Sequence, residues 1–286
     1  MVTTRAELLR RLAHWGSSRG PEWFVRYSPA VVGCAAALAA PEARRNIRRS
    51  LVEVRGARSP ARDAVDVLRT FSAYAGSLAE SLARGSDNDG PIVPVIRGAP
   101  YIREVLSDGR GFVVGTLHSG GWDVIGKLLS GPLAREVLLV MEREPDGAAR
   151  AFHDEIRERG GVRVAHVGGG DALASLPLLS HLRGGGVVAA QLDRLAPGMR
   201  ARPVRLFDRD GALPEGPLLL ARLAGVPLLP IFCARLGFRR YLLHIERPVR
   251  LARRATPADI DAAAQRVADA MTGFLRAHPT QWFRFS

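Results

Sequence analysis

Lysine is almost absent from this chain. Of its 41 lysines and arginines, Lys127 is the one lysine. Alanine, glycine and proline are abundant as well, a bias consistent with a GC-rich coding sequence. Cysteine is equally scarce. Cys34 and Cys233 are the only two, too few for a disulfide framework or a cysteine-based zinc site. A reducing compartment is the simplest reading. Long apolar runs are missing too. The most apolar early stretch, Pro29 to Ala40, has 12 residues, whereas a spanning helix needs about 20. Residues 5–15 mix arginine with leucine and lack the apolar stretch of a secretory signal. The expectation is a soluble or peripheral protein. No internal repeat or low-complexity block is present.

What is there suits one large domain, or a domain with a helical annex, in 286 residues. A hydrophobic fraction of 47% is enough for a core and excludes wholesale disorder. The formal net charge of +13 favours an anionic partner: membrane, nucleic acid or a phosphorylated substrate. Residues 5–15 set Leu8, Leu9, Leu12 and Trp15 on one helical face, with Arg10 and Arg11 beside them and Trp23 and Phe24 following. That pattern suits an interfacial helix on an anionic bilayer. The commoner arrangement for such a helix is to pack its leucine face on the rest of the protein.

Residues 1–90 read as a helical region, with helices near 5–15, 21–39, 41–54 and 60–84. A loop follows at 85–91. Residues 91–286 alternate strands and helices, and the two regions are expected to form one integrated unit. Strands are expected over Gly111–Leu117, Val137–Met141, Val162–Val167, Val187–Leu192, Val204–Phe207, Pro227–Ala234 and Tyr241–Ile245. Helices are expected over Trp122–Leu129, Asp146–Arg159, Ala172–Leu182, Gly216–Ala224 and Pro257–His278, the last with Thr256 as N-cap. The fold class is therefore α/β: a mixed central sheet flanked by helices, with an N-terminal helical region.

The densest chemistry lies in Thr116 to Lys127, TLHSGGWDVIGK. A buried strand ends at Leu117 and His118 follows. On a continuous helix His118 and Asp123 would stand about 140° apart. The Gly120-Gly121 pair permits a tight turn, so the carboxylate can fold back on the imidazole. A histidine with an orienting carboxylate at a strand end is a general-base arrangement. The amides of Gly120 and Gly121 are candidates to receive a developing anion. A serine nucleophile elbow fails, because position 117 is leucine rather than glycine. His153, Asp154 and Glu155 do not form a zinc-protease pattern. Gly168-Gly169-Gly170 would need a glycine at 173 for a dinucleotide fingerprint, and that residue is Leu173. Arg143 and Arg194 follow expected strands and are candidate anion or oxyanion contacts, and Asp193, at the same strand end as Arg194, is a candidate substrate-site residue. Trp282 and Phe285 read as core or rim.

TLHSGGWD resembles the His-x4-Asp/Glu motif of the lysophospholipid acyltransferase superfamily. It is most similar to the bacterial lipid A biosynthesis (late) acyltransferases and the phosphatidylinositol mannoside acyltransferases. Leu179 to Gly198, Val204 to Phe207, Gly216 to Ile231 and Pro279-x-Gln281-Trp282 resemble later blocks of that family, in the same order. The resemblance spans about residues 30–286. Lipid A enzymes usually begin with a spanning helix, and none is legible here. Gly168 to Asp171 stands where many relatives carry a basic residue. Glu215-Gly216-Pro217 matches half of the Glu-Gly-Thr block of phosphate-headgroup enzymes, which leaves the acceptor open. The resemblance implies acyl transfer from acyl-CoA or acyl carrier protein to a hydroxyl of a lipid or glycolipid, with no cofactor beyond the donor. In that mechanism His118 takes the acceptor proton and Asp123 holds the ring. The implied location is peripheral, on the cytoplasmic face of a bacterial inner membrane, against an anionic surface and without nucleic acid. Two other readings stand beside it. One is a thioesterase-like hydrolase using the same residues with water. The other is a non-enzymatic basic module for lipid or nucleic acid, supported by charge alone.

Overall fold

The computed structural model describes residues 5–86, 88–121, 135–142, 163–167, 175–195 and 198–285. The helices expected at 122–129 and 146–159 and the turn at Gly168–Gly170 lie outside them, as do Trp122, Asp123, Lys127 and Arg143.

Four helices open the chain: α1 (Arg5–Arg19), α2 (Glu22–Ala39), α3 (Pro41–Arg55) and α4 (Pro60–Leu82). Pro41 and Pro60 stand at helix starts, where a missing N–H costs nothing. In α2 the buried residues are Val25, Pro29, Gly33 and Ala37, a narrow stripe at four-residue spacing. That stripe packs on α4. A Cβ on Gly33 would stand 2.7 Å from the Phe71 carbonyl oxygen, so glycine sets the close approach of the two helices. The rest of α2 is apolar but uncovered: Trp23, Tyr27, Val31, Val32 and Leu38 are all exposed. Helix α1 is described at the side-chain level only from Leu12 onward. Its Ser17 and Ser18 are buried and its His14 ring bonds the Leu82 carbonyl at 3.1 Å, while Leu12 and Trp15 face outward. No single described helix is long and apolar enough to cross a bilayer. Helices α2 and α3 together pass by length and composition, but they are bent by 102°.

Next come β1 (Val93–Arg97), α5 (Ala99–Ser107), β2 (Phe112–Thr116), β3 (Val137–Glu142) and β4 (Arg163–Val167). They are followed by α6 (Leu176–Arg183), β5 (Val187–Gln191), β6 (Ala201–Leu206) and β7 (Arg209–Pro214). Helix α7 (Gly216–Ala224), β8 (Leu228–Gly237), β9 (Arg240–Ile245) and α8 (Pro257–Ala277) complete the order. Thr256 caps α8 in a reciprocal box with Asp259, as its sequence suggests.

Seven strands form one sheet in the order β1-β9-β8-β2-β5-β3-β4. Every pairing is parallel except β8 with β9. Central strands β2 and β5 are buried along almost their whole length, which explains their continuous apolar runs. Two hydrophobic clusters cover the two sheet faces. One includes Val113, Leu117, Val188, Phe232 and the inner face of α8; the other includes Phe112, Val114, Val187, Ala189 and Tyr241.

Three elements are not legible as apolar runs. β1 contains Pro94, which only an edge strand accommodates. α5 is short and has a single fully buried residue, Val105. β7 (RDGALP) is paired through a two-residue turn at Phe207-Asp208, with φ of 51° and 64°. Those values mark the tight hairpin type that usually calls for Asn-Gly, and here the turn is pinned because Phe207 is buried against Trp282.

Candidate active site

Parallel pairing of β2 with β5 builds the site. Thr116 lies opposite Gln191, so two residues further along each strand His118 comes opposite Asp193. Adjacent strands are about 4.8 Å apart, which leaves room for a direct side-chain contact. His118 Nδ1 stands 2.9 Å from Asp193 Oδ1, and the His118 amide donates to both carboxylate oxygens at 3.2 Å. The Trp282 indole N–H donates to Oδ2 at 2.8 Å. Asp193 is enclosed, with 1% of its side chain exposed, while His118 keeps 22%. Burial opposes the charge on Asp193. The His118 ring, the Trp282 indole and the His118 amide outweigh it and hold the carboxyl below the ordinary aspartate range. An ionised partner at Nδ1 fixes the tautomer with the proton on Nδ1 and leaves Nε2 as the basic nitrogen.

The turn after His118 needs its glycines. Gly120 has φ of 42° and Gly121 of 81°. A Cβ on Gly120 would lie 2.3 Å from the Cys233 carbonyl oxygen, and one on Gly121 would lie 2.7 Å from the Tyr241 ring. The C-terminal segment closes over the turn. Phe283 donates its amide to the His118 carbonyl at 2.8 Å, and Gly120 donates its own to Gln281 at 3.3 Å. The expectation that the Gly120 amide receives an anion is thereby corrected: it is committed to the carbonyl of Gln281, the last residue of a short 3-10 turn (Pro279–Gln281). Gly121 is buried under Tyr241.

The carboxylate expected on His118 was Asp123, which lies outside the described residues with Arg143. Among the described residues Asp193 occupies the Nδ1 position. Arg194 donates to the Phe283 carbonyl at 3.2 Å and lines a cavity of about 480 Å³. Asp193, Trp282, Phe207, Arg284 and Glu53 share that lining. Glu215 is buried and paired with Arg202 at 2.7 Å, so this half of the headgroup-type block ties β6 to the start of α7.

Sequence reasoning missed the part played by Trp282. The residue is in the core, as expected, but its indole N–H also binds the site carboxylate. The signal was its place in the Pro-x-Gln-Trp ending.

Fold and site together define a class: an α/β protein whose mostly parallel sheet sets a partly open histidine against a buried carboxylate at its strand ends. Within that class the chain belongs to the bacterial lipid A biosynthesis acyltransferase family, whose model matches residues 67–286. Among individual proteins it is similar to the phosphatidylinositol mannoside acyltransferases of two Mycobacterium tuberculosis strains, at 29% identity over 194 residues. That alignment takes in 66% of this chain and 57% of each relative. A phosphatidylinositol mannoside acyltransferase of Mycolicibacterium smegmatis is 26% identical over 246 residues, 82% of this chain and 76% of the relative.

Proposed function

We propose that this protein transfers a fatty acyl group from a thioester, acyl-CoA or acyl carrier protein, to a hydroxyl of a lipid or glycolipid. The observation that carries the reading is the buried Asp193 against His118 Nδ1, with His118 itself partly open. His118 Nε2 takes the acceptor hydroxyl proton as the oxygen attacks the thioester carbonyl. A C–O bond forms, the tetrahedral intermediate collapses and the C–S bond breaks. The imidazolium returns its proton to the departing sulfur, so a free thiol and an ester leave. Asp193 stays ionised throughout and stabilises the imidazolium. General-base catalysis of this type contributes roughly 10²–10⁴-fold.

The work is done at the cytoplasmic face of the inner membrane, on a peripheral protein. Trp15, Trp23, Tyr27, Val31 and Val32 form an apolar surface, and Arg26 lies 5.4 Å from the Tyr27 ring centre. Aromatic rings beside arginines suit the boundary of an anionic bilayer.

The test uses palmitoyl-CoA and phosphatidylinositol mannoside in mixed vesicles. His118→Ala is expected to lower acyl transfer at least 100-fold without unfolding the protein. Near-wild-type transfer by that variant would remove His118 from the chemistry. Release of free palmitate with no acylated lipid would replace the reading with hydrolysis.

A further inference from the structure

Glu80 lies on α4, in the N-terminal helical region, and only 5% of its side chain is exposed. Both of its oxygens are fully engaged by the β8–β9 hairpin. Oε1 accepts from Arg235 Nε at 2.8 Å and lies 2.7 Å from Arg235 Nη2. Oε2 accepts from the Arg239 amide at 2.9 Å and from the Tyr241 hydroxyl at 2.8 Å. One turn earlier on α4, Gly76 leaves room for the guanidinium: a Cβ there would stand 2.6 Å from Arg235 Cζ.

Two routes lead from this carboxylate to the His118 turn. In the first, Tyr241 is fully buried and its ring forms the surface on which Gly121 rests. In the second, the Arg235 amide donates to Gln281 Oε1 at 2.9 Å, and the Gln281 carbonyl accepts from Gly120. Residue 282, next along, is the tryptophan that binds Asp193. A third support comes from Cys233, one strand position before Ala234, whose thiol donates to the Gly120 carbonyl at 3.1 Å. Through Tyr241 and Arg235, one carboxylate with no hydrogen bond to His118 reaches both sides of the turn.

We propose that Glu80 is a positioning residue for the His118–Asp193 pair, holding Tyr241, Arg235 and Gln281 so that the glycine turn presents the imidazole in one orientation. The proposal rests on the reading of His118 as the base. Stability alone does not call for this arrangement, because a buried ion pair is often no better than apolar residues of the same size. What a fully partnered buried carboxylate adds is fixed geometry. Burial and the nearby Glu80 charge also push the Tyr241 phenol well above its ordinary range, so it stays a hydrogen-bond donor at any working pH. A base displaced by even about 1 Å loses rate on the order of 100-fold while the substrates still bind.

The experiment compares three variants in the palmitoyl-CoA and phosphatidylinositol mannoside assay, well below each melting temperature. Glu80→Gln is expected to lower kcat roughly 10–100-fold with KM for both substrates within about twofold. Tyr241→Phe keeps the ring under Gly121 but removes one bond to Glu80, and a fall of roughly 3–10-fold is expected. Asp63→Asn breaks another buried α4 ion pair, with Arg55 at 2.9 Å, far from the turn. It is expected to lower the melting temperature and leave kcat unchanged. In 15N-labelled protein the His118 Nδ1 proton resonance should shift in Glu80→Gln and not in Asp63→Asn. Wild-type kcat in Glu80→Gln, or an equal loss in Asp63→Asn, overturns the proposal. If Glu80→Gln does not fold, wild-type kcat and an unmoved resonance in Tyr241→Phe overturn it instead. Full activity in His118→Ala would be a different failure, that of the base assignment itself.

Discussion

At the scale of single residues, Asp193 is where most of the site's chemistry converges. It takes hydrogen bonds from the His118 ring, the His118 amide and the Trp282 indole at once. Its carboxyl is held below the ordinary range, so the folded state favours the charged form. A depressed carboxyl contributes stability above its unfolded pKa of about 4 and loses it as pH falls through the lower folded value. Asp193→Asn should therefore melt earlier than wild type at pH 7, and the gap should close below about pH 4. Melting curves across that range check it. The same variant keeps the shape but loses the charge that sets the tautomer, and a fall in kcat of roughly 10²–10⁴-fold is expected from steady-state kinetics. Both His118 and Asp193 were recognisable from sequence as residues at strand ends. Their partnership was not, because 75 residues separate them and the register of two parallel strands brings them together.

At the scale of elements, the turn at His118–Gly121 is the one on which the proposed chemistry depends. It leaves β2, reverses on two left-handed glycines and lies on the backbone of β8. Alanine at Gly120 would meet the Cys233 carbonyl at 2.3 Å and adopt an unfavourable φ. Left-handed backbone costs a non-glycine residue roughly 1–2 kcal/mol, and forced overpacking adds roughly 1–3 kcal/mol. Gly120→Ala is expected to lower the melting temperature by at least about 4 °C and to cut activity more than Gly225→Ala, a helix C-cap glycine with open space around it. Calorimetry and the acyl-transfer assay on both variants check this. The glycine pair was a legible signal of a tight turn. The Gly120 amide was misread as open, because nothing local tells that Gln281 returns from the far end of the chain to pair with it. The same limit applies to β7, whose first half (RDG) is polar and which is held through Phe207 in the preceding turn and Leu213 in the core.

At the scale of the whole molecule, a net charge of +13 and an uncovered apolar surface on α1 and α2 occur together. Binding to vesicles containing anionic phospholipid should exceed binding to neutral vesicles and weaken as salt rises, since the screening length is about 10 Å at 0.1 M and about 3 Å at 1 M. The double change Trp23→Ser and Tyr27→Ser should reduce partitioning roughly tenfold or more at any salt, through lost apolar burial. Flotation assays separate the two contributions. Composition, the apolar run lengths and the glycine and proline positions by themselves determined the helical first third, the buried strands β2, β3, β5 and β8, and the place of His118 at a strand end. These are local properties: burial and helical period are written within about a dozen residues. Only the tertiary structure brought Asp193 against His118, the Trp282 indole against Asp193, and Glu80 against Tyr241 and Arg235. Each of those depends on residues far apart in the chain, and their meeting is set by strand register and helix packing.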